Sequence, residues 1–171
     1  MRSSTRWLLV LAVGFVTGLA VPAWAQTPVQ TKYEGTIGDY VQSGGVTWLI
    51  TGGWTLELKG RGEKGSFSAA LNMVNPAAPD TAAHTHQVTL AEGEVEFDED
   101  WSTGAPRFTL TGAAAVTSQG NVAWTEAPIT VVMTGGTSTS GLRFSNLSLT
   151  FGDPGSGHFG PTAIVGVVVK K

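Results

Sequence analysis

Apolar and polar residues alternate along most of this chain, which is the pattern of β-strands that turn one face toward a core. In one segment Trp54, Leu56 and Leu58 share a face, and polar or charged residues separate them. A second segment repeats the alternation, with its apolar residues at Phe67, Ala69, Leu71 and Met73. The spacing of an amphipathic helix is nearly absent. The pattern therefore predicts an all-β protein.

Glycine pairs punctuate the alternating segments and predict where strands end. Gly52-Gly53 is a two-residue hairpin signal between two apolar segments, and Gly135-Gly136 predicts another break. Between residues 142 and 151 the apolar positions change parity, which predicts a β-bulge near Ser145-Asn146. The near-continuous apolar run at 163–169 predicts a strand that is covered on both faces.

These segments amount to about nine or ten short strands with polar, glycine-rich connections. Such a pattern is typical of a single antiparallel β-barrel or of a two-sheet β-sandwich. The pattern does not separate the two architectures, because both place alternating rows against one core. No internal repeat or linker divides the chain, so residues 26–171 are predicted to form one all-β domain.

The first 25 residues predict a cleaved secretory signal peptide. Arg2 and Arg6 precede an apolar stretch, and Ala23-Trp24-Ala25 supplies the small-x-small pattern of a cleavage site. The apolar stretch is shorter than the roughly 20 residues that a membrane-spanning helix needs. We therefore expect export to the periplasm or the extracellular medium, with no membrane span in the mature chain.

The composition of the chain excludes several kinds of functional site. The 171-residue chain has Cys 0, which excludes disulfides, thiolate metal sites and cysteine nucleophiles. A formal net charge of -3 and the lack of a basic run argue against binding to nucleic acid. The sequence contains no serine-hydrolase elbow, zinc-protease helix motif or phosphate-binding loop, so an enzyme is the less favoured class.

The three histidines carry the clearest candidate chemistry. His84 and His86 are two residues apart, so on a strand both side chains point to one face. That face is shared with Val88 and Leu90 and is predicted to be the core side. His158 lies in a glycine-rich loop that could bring a third imidazole to the same place. Neutral imidazole is a common ligand of copper and zinc, so the sequence predicts a three-histidine site for one of these metals.

This His-x-His pair with a distant third histidine resembles the copper-zinc superoxide dismutases, which are exported β-sandwich proteins. The resemblance covers only His84, His86 and His158. That family has further histidines, one of which bridges both metals, and a cysteine pair. This chain has no residues left for those roles. The resemblance therefore implies copper or zinc binding without dismutase activity.

Three functions remain open at the level of sequence. The first is an exported binding module whose small-molecule or metal-ion site lies beside the loop at 75–83. Its candidate ligand-binding residues are Asn72, Met73, His84, His86 and His158. The second is a copper- or zinc-binding protein that uses the three histidines, with Met73 or a carboxylate completing the ligand set. The third is a structural or surface-interaction protein whose histidines only bond backbone carbonyls at the rim.

Overall fold

The computed structural model describes residues 32–59, 62–80, 82–98, 106–138 and 141–170. These ranges form eight β-strands and one short helix. The strands are β1 (Lys32–Ser43), β2 (Val46–Lys59), β3 (Lys64–Val74), β4 (His84–Phe97), β5 (Arg107–Ser118), β6 (Asn121–Ser138), β7 (Gly141–Phe151) and β8 (Ile164–Lys170). The helix α1 (Ser156–Phe159) lies between β7 and β8. Within this described part of the chain, no helix has both the length and the apolar character needed to cross a bilayer. The predicted signal peptide at 1–25 lies outside the described residues.

The eight strands close into one antiparallel barrel. Each strand pairs with its neighbour in sequence order, and β1 also pairs with β8 through contacts such as Thr36 with Val167. The predicted all-β barrel is therefore confirmed, whereas the sandwich alternative and the count of nine or ten strands are not. Closure gives every strand a neighbour on both sides, so the strands have one face toward the interior and one face outward.

The strands are fewer and longer than predicted because two of the glycine pairs lie inside strands. Gly52 is in the middle of β2, opposite Leu71, and a Cβ built on it would lie 1.7 Å from the carbonyl oxygen of Ala70. Gly135 lies in β6, and its Cβ would come equally close, 1.7 Å, to the carbonyl oxygen of Arg143. Glycine at these positions allows a neighbouring backbone to approach closely and does not form a turn. The predictions of breaks at both glycine pairs were wrong.

The predicted β-bulge in β7 is confirmed. Thr134 pairs with Asn146 and Gly135 pairs with Phe144, so Ser145 has no partner in the ladder. One extra residue reverses the alternation on either side of it. Phe144 and Leu147 are consequently both buried although they are an odd number of residues apart.

Apolar side chains from all eight strands fill the barrel interior. Trp54, Leu56 and Leu58 are buried as the alternation predicted, and so is the row from Phe67 to Met73. An eight-stranded barrel is just wide enough for its own side chains to fill it. Polar side chains with a chemical role are therefore expected at the ends of this barrel, where the strands meet the connections.

The outer face of β8 departs from the prediction of a strand covered on both sides. Val165, Val167 and Val169 point outward and are 49%, 50% and 70% exposed. The inward residue Ile164 is fully buried. The apolar run in this segment therefore reflects valine-rich β-propensity on the outer face and core packing on the inner face.

The close approach at Gly52 generates a test of the barrel packing. We expect Gly52→Ala to lower the free energy of unfolding by about 3 kcal/mol, because the new methyl group meets backbone that cannot move without shifting β3. Gly38→Ala in β1 is the matched control, since a Cβ there meets nothing within 4 Å. Urea unfolding of both variants measures the difference. Equal stability of the two variants would contradict this packing.

Candidate metal centre

His84 and His86 lie at the end of the barrel where β4 begins. They are the first and third residues of that strand, and their ring centroids are 4.9 Å apart. His86 is only 3% exposed, and His84 is half-buried. The prediction that both side chains occupy the inner face is confirmed. The alternation of β4 thus places two imidazoles just inside the barrel end.

His158 reaches the same place from α1, which packs over this barrel end. The Ser43 hydroxyl donates a hydrogen bond to the carbonyl oxygen of Gly157 at 3.1 Å, and this ties α1 to the end of β1. Phe159 is fully buried and stacks on Phe151 of β7, with ring centroids 4.0 Å apart and an interplanar angle of 18°. The third histidine is therefore held by a packed helix.

The Nε2 atoms of the three imidazoles converge. His158 Nε2 lies 3.1 Å from His84 Nε2 and 2.9 Å from His86 Nε2. The candidate ligand atoms of the three residues all lie within 4.8 Å of one another. Two nitrogens bound to zinc at about 2.05 Å in a tetrahedron are about 3.3 Å apart. The three histidines are therefore close enough to hold one metal ion after small adjustments.

Backbone carbonyls orient two of the three rings. His84 Nδ1 lies 2.6 Å from the carbonyl oxygen of Ala82, and His86 Nδ1 lies 3.3 Å from that of Thr117. A carbonyl oxygen can only accept, so each Nδ1 carries the proton and each neutral ring presents an Nε2 lone pair. A hydrogen bond from Nδ1 to a carbonyl is the usual way in which proteins orient a metal-binding histidine through Nε2.

The centre of the cluster has more lone pairs than protons. In its neutral form, His158 carries at most one hydrogen on Nε2, so it cannot donate to both His84 and His86 at the same time. At least one pair of nitrogens then faces each other without a hydrogen between them. A cation bound among the three atoms satisfies every lone pair, whereas the protein alone does not.

Burial keeps two of these histidines neutral. The pKa of His86 is lowered to about 4, chiefly by desolvation and also by the nearby His158 and His84, while the hydrogen bond to the Thr117 carbonyl opposes this shift. Desolvation also lowers the pKa of His158, and His84 adds to that effect. Metal ligation requires the unprotonated imidazole. Both side chains are therefore in the ligand form at neutral pH.

Three aromatic side chains surround the imidazoles. Trp48 meets His84 edge to face at 5.3 Å between ring centroids, and Phe159 meets His86 at 5.0 Å. The Trp124 ring lies 6.0 Å from the His158 ring. An apolar shell of this kind restricts ring movement and lowers the local dielectric constant, which strengthens electrostatic interactions at the centre.

Met73 and Asn72 both lie at the histidine end of the barrel, but only Met73 faces the interior. Met73 is fully buried and pairs directly with His84 across β3 and β4, so the two side chains share the inner face. Asn72 pairs with Thr85 and is exposed on the outer face. Because successive residues of a strand face opposite sides, both residues cannot line one interior site.

Sequence reasoning did not place the aromatic side chains beside the histidines. Trp48 has the same parity as Ile50 and Trp54 in β2, so the alternation alone could have placed it on the inner face. Trp124 of β6 pairs directly with the inward-facing Val116 of β5 and so shares its face, but this pairing cannot be read from either strand alone. Nothing in the local sequence indicates that Phe159 packs beneath His86, because this contact depends on the path of α1.

An open groove of about 690 Å³ lies on the wall of the barrel. Residues of β1, β6, β7 and β8 line it, together with Arg107 of β5. Its lining includes Thr36, Val132, Asn146, Val165 and Val167, and none of the three histidines. The groove and the histidine cluster are therefore separate features, and the metal-ligating chemistry belongs to the barrel end.

Fold and site together define a closed eight-stranded antiparallel barrel with a three-histidine cluster at one end. Comparison with known proteins finds no matching family model, no matching curated protein and no matching solved structure. A functional assignment for this chain rests on the side chains of the site themselves.

The burial of His86 predicts a pH dependence for the metal-free protein. The unfolded chain titrates this residue near 6.5 and the folded chain near 4, so the unfolded chain binds more protons between these values. We therefore expect the free energy of unfolding to fall by up to about 3 kcal/mol as the pH drops from 6.5 toward 4. Urea unfolding at several pH values measures this, and His86→Leu should reduce the fall. If the free energy of unfolding falls equally in both proteins, His86 is not the cause of the pH dependence.

Proposed function

We propose that this barrel is a metal-binding protein that holds one zinc or copper ion through the Nε2 atoms of His84, His86 and His158. One observation carries the proposal: three Nε2 atoms converge, and backbone carbonyls hold the opposite nitrogen of two of the rings. A histidine that served only to bond a carbonyl at the rim would have no reason to direct its free lone pair at two other imidazoles.

The donor set supports zinc or copper over other metals. Calcium and magnesium prefer oxygen ligands, whereas imidazole nitrogen suits zinc and copper. Three imidazole nitrogens can hold zinc without any further protein ligand. The thioether of Met73, on the same face as His84, would shift the preference toward Cu(I) if it joined the ligand set.

The proposal includes export and a binding role. Residues 1–25 have the features of a secretory signal, and imidazole ligands, unlike thiolates, cannot be lost to disulfide formation in an oxidising compartment. The protein is thus proposed to be an exported metal-binding module. A structural or surface-interaction protein without a ligand is the alternative that the following experiments separate from it.

Metal content tests the central part of the proposal. The protein is produced with its native signal and without a histidine tag, and zinc and copper are measured by mass spectrometry and by calorimetric titration. We expect about one equivalent of metal, and we expect His86→Ala or His158→Ala to weaken binding by at least about 100-fold. Gln87→Ala is the matched control, because Gln87 is an exposed neighbour on the outer face of β4.

Two results distinguish a metal-binding module from a structural or surface-interaction protein. Loss of metal in the histidine variants, with unchanged circular dichroism and unchanged binding by Gln87→Ala, supports the site. Failure of the wild-type protein to bind either metal after loading and desalting overturns the metal proposal and favours the structural alternative.

Export has its own test. When the full chain is expressed in a bacterial host, we expect the purified protein to begin at Gln26, as mass spectrometry of the intact protein would show. A chain that lacks residues 1–25 is the control and should stay in the cytoplasm. Recovery of the uncleaved full-length chain from the cytoplasm contradicts the proposed export.

A further inference from the structure

Among the described residues, three histidines are the group of His, Asp and Glu side chains that could hold the metal ion. The chain has His 3 and Cys 0, so every histidine is already used and no thiolate exists. Among the described residues, no aspartate or glutamate belongs to the group of candidate ligands. Zinc in proteins is nearly always four-coordinate, and a site with three protein ligands keeps its fourth position for a molecule from solution.

The charge of such a site is unbalanced. Three neutral imidazoles contribute no negative charge, so a divalent ion would keep its full +2 charge. Trp48, Trp124 and Phe159 surround the rings and exclude water from part of the site. Because electrostatic attraction strengthens as the dielectric constant falls, a negatively charged fourth ligand is favoured over a neutral one.

The exposure of the three imidazole rings indicates the side from which a ligand would reach the metal. His86 is 3% exposed and has Phe159 against its ring, so the deep side is closed. His84 and His158 are half-buried, so solvent reaches the cluster past these two rings. Trp48 lies beside His84 and Trp124 beside His158, so a ligand that reaches these two imidazoles also meets the indoles.

We infer that a divalent metal held by His84, His86 and His158 takes a small anion from solution as its fourth ligand. The ligand class comprises hydroxide and compact monoanions of a few atoms, such as azide or formate. Azide or formate would displace a metal-bound water, whereas hydroxide would form when that water releases a proton to solvent. This inference rests on the proposed metal-binding function and adds the chemical class of the ligand.

Met73 is the protein group that competes with this inference. It is fully buried, it shares the inner face with His84, and its thioether sulfur is a weak but possible donor to a metal. If the sulfur completed the ligand set, no anion could bind. Met73→Leu removes the sulfur with little change in volume and is therefore the decisive variant.

The experiment uses the untagged mature protein loaded with Co²⁺, whose visible absorption reports coordination number. The wild-type protein and Met73→Leu are titrated with sodium azide in a chloride-free buffer, and Gln87→Ala serves as the control. We expect a saturable spectral shift with one azide per cobalt in all three proteins. Bound cobalt is quantified separately by mass spectrometry.

Each outcome has one meaning. A saturable shift of equal size in the three proteins supports the inference. Cobalt binding with an azide response only in Met73→Leu shows that the thioether closes the site, and cobalt binding with no response in any protein shows that the fourth position is inaccessible. Both results overturn the inference and leave the metal-binding function intact. Failure of the wild-type protein to bind cobalt, zinc or copper overturns both.

Discussion

The pairing of β1 with β8 is the constraint on which the rest of this structure depends. It closes the sheet, gives every strand two neighbours and commits one face of each strand to a narrow interior. That interior is filled with apolar side chains, so an imidazole within it must lie near an end, where carbonyls and connecting segments offer polar partners. His84 and His86 occupy such a position at the beginning of β4.

Two structural units of different kinds build the histidine cluster. The ladder of β4 fixes His84 and His86, whereas His158 depends on the packing of α1 through Phe159 on Phe151 and through the hydrogen bond from Ser43. A metal ion at the centre would connect these two units directly. It would bind the folded chain in preference to the unfolded one, so metal binding and barrel stability are coupled.

Local alternation predicted the parts of the fold that depend on single strands. It identified the inward rows ending at Leu58 and Met73, the bulge at Ser145, and the common face of His84 and His86. It failed at Gly52 and Gly135, because a glycine that admits a neighbouring backbone has the same local sequence as one that forms a turn. The difference lies in the pairing with β3 and β7, which a single strand does not encode.

In the candidate site, too, the features that depend on a single segment could be predicted and those that depend on tertiary packing could not. The three histidines were recognisable from residue type and spacing, but their convergence required the path of α1 across the barrel end. Asn72 and Met73 were both candidate ligand-binding residues, and the pleat of β3 separates them onto opposite faces. The indoles beside the cluster belong to β2 and β6, which are far from the histidines in sequence and meet them only after closure.

X-ray absorption at the zinc edge of the metal-loaded protein tests the central claim most directly, because it reports the donor atoms around the ion. The account predicts three imidazole nitrogens at about 2.0–2.1 Å, with the multiple scattering of histidine rings, in a four-coordinate shell. A six-coordinate oxygen shell without imidazole scattering would contradict it, since the ion would then lie somewhere other than among His84, His86 and His158.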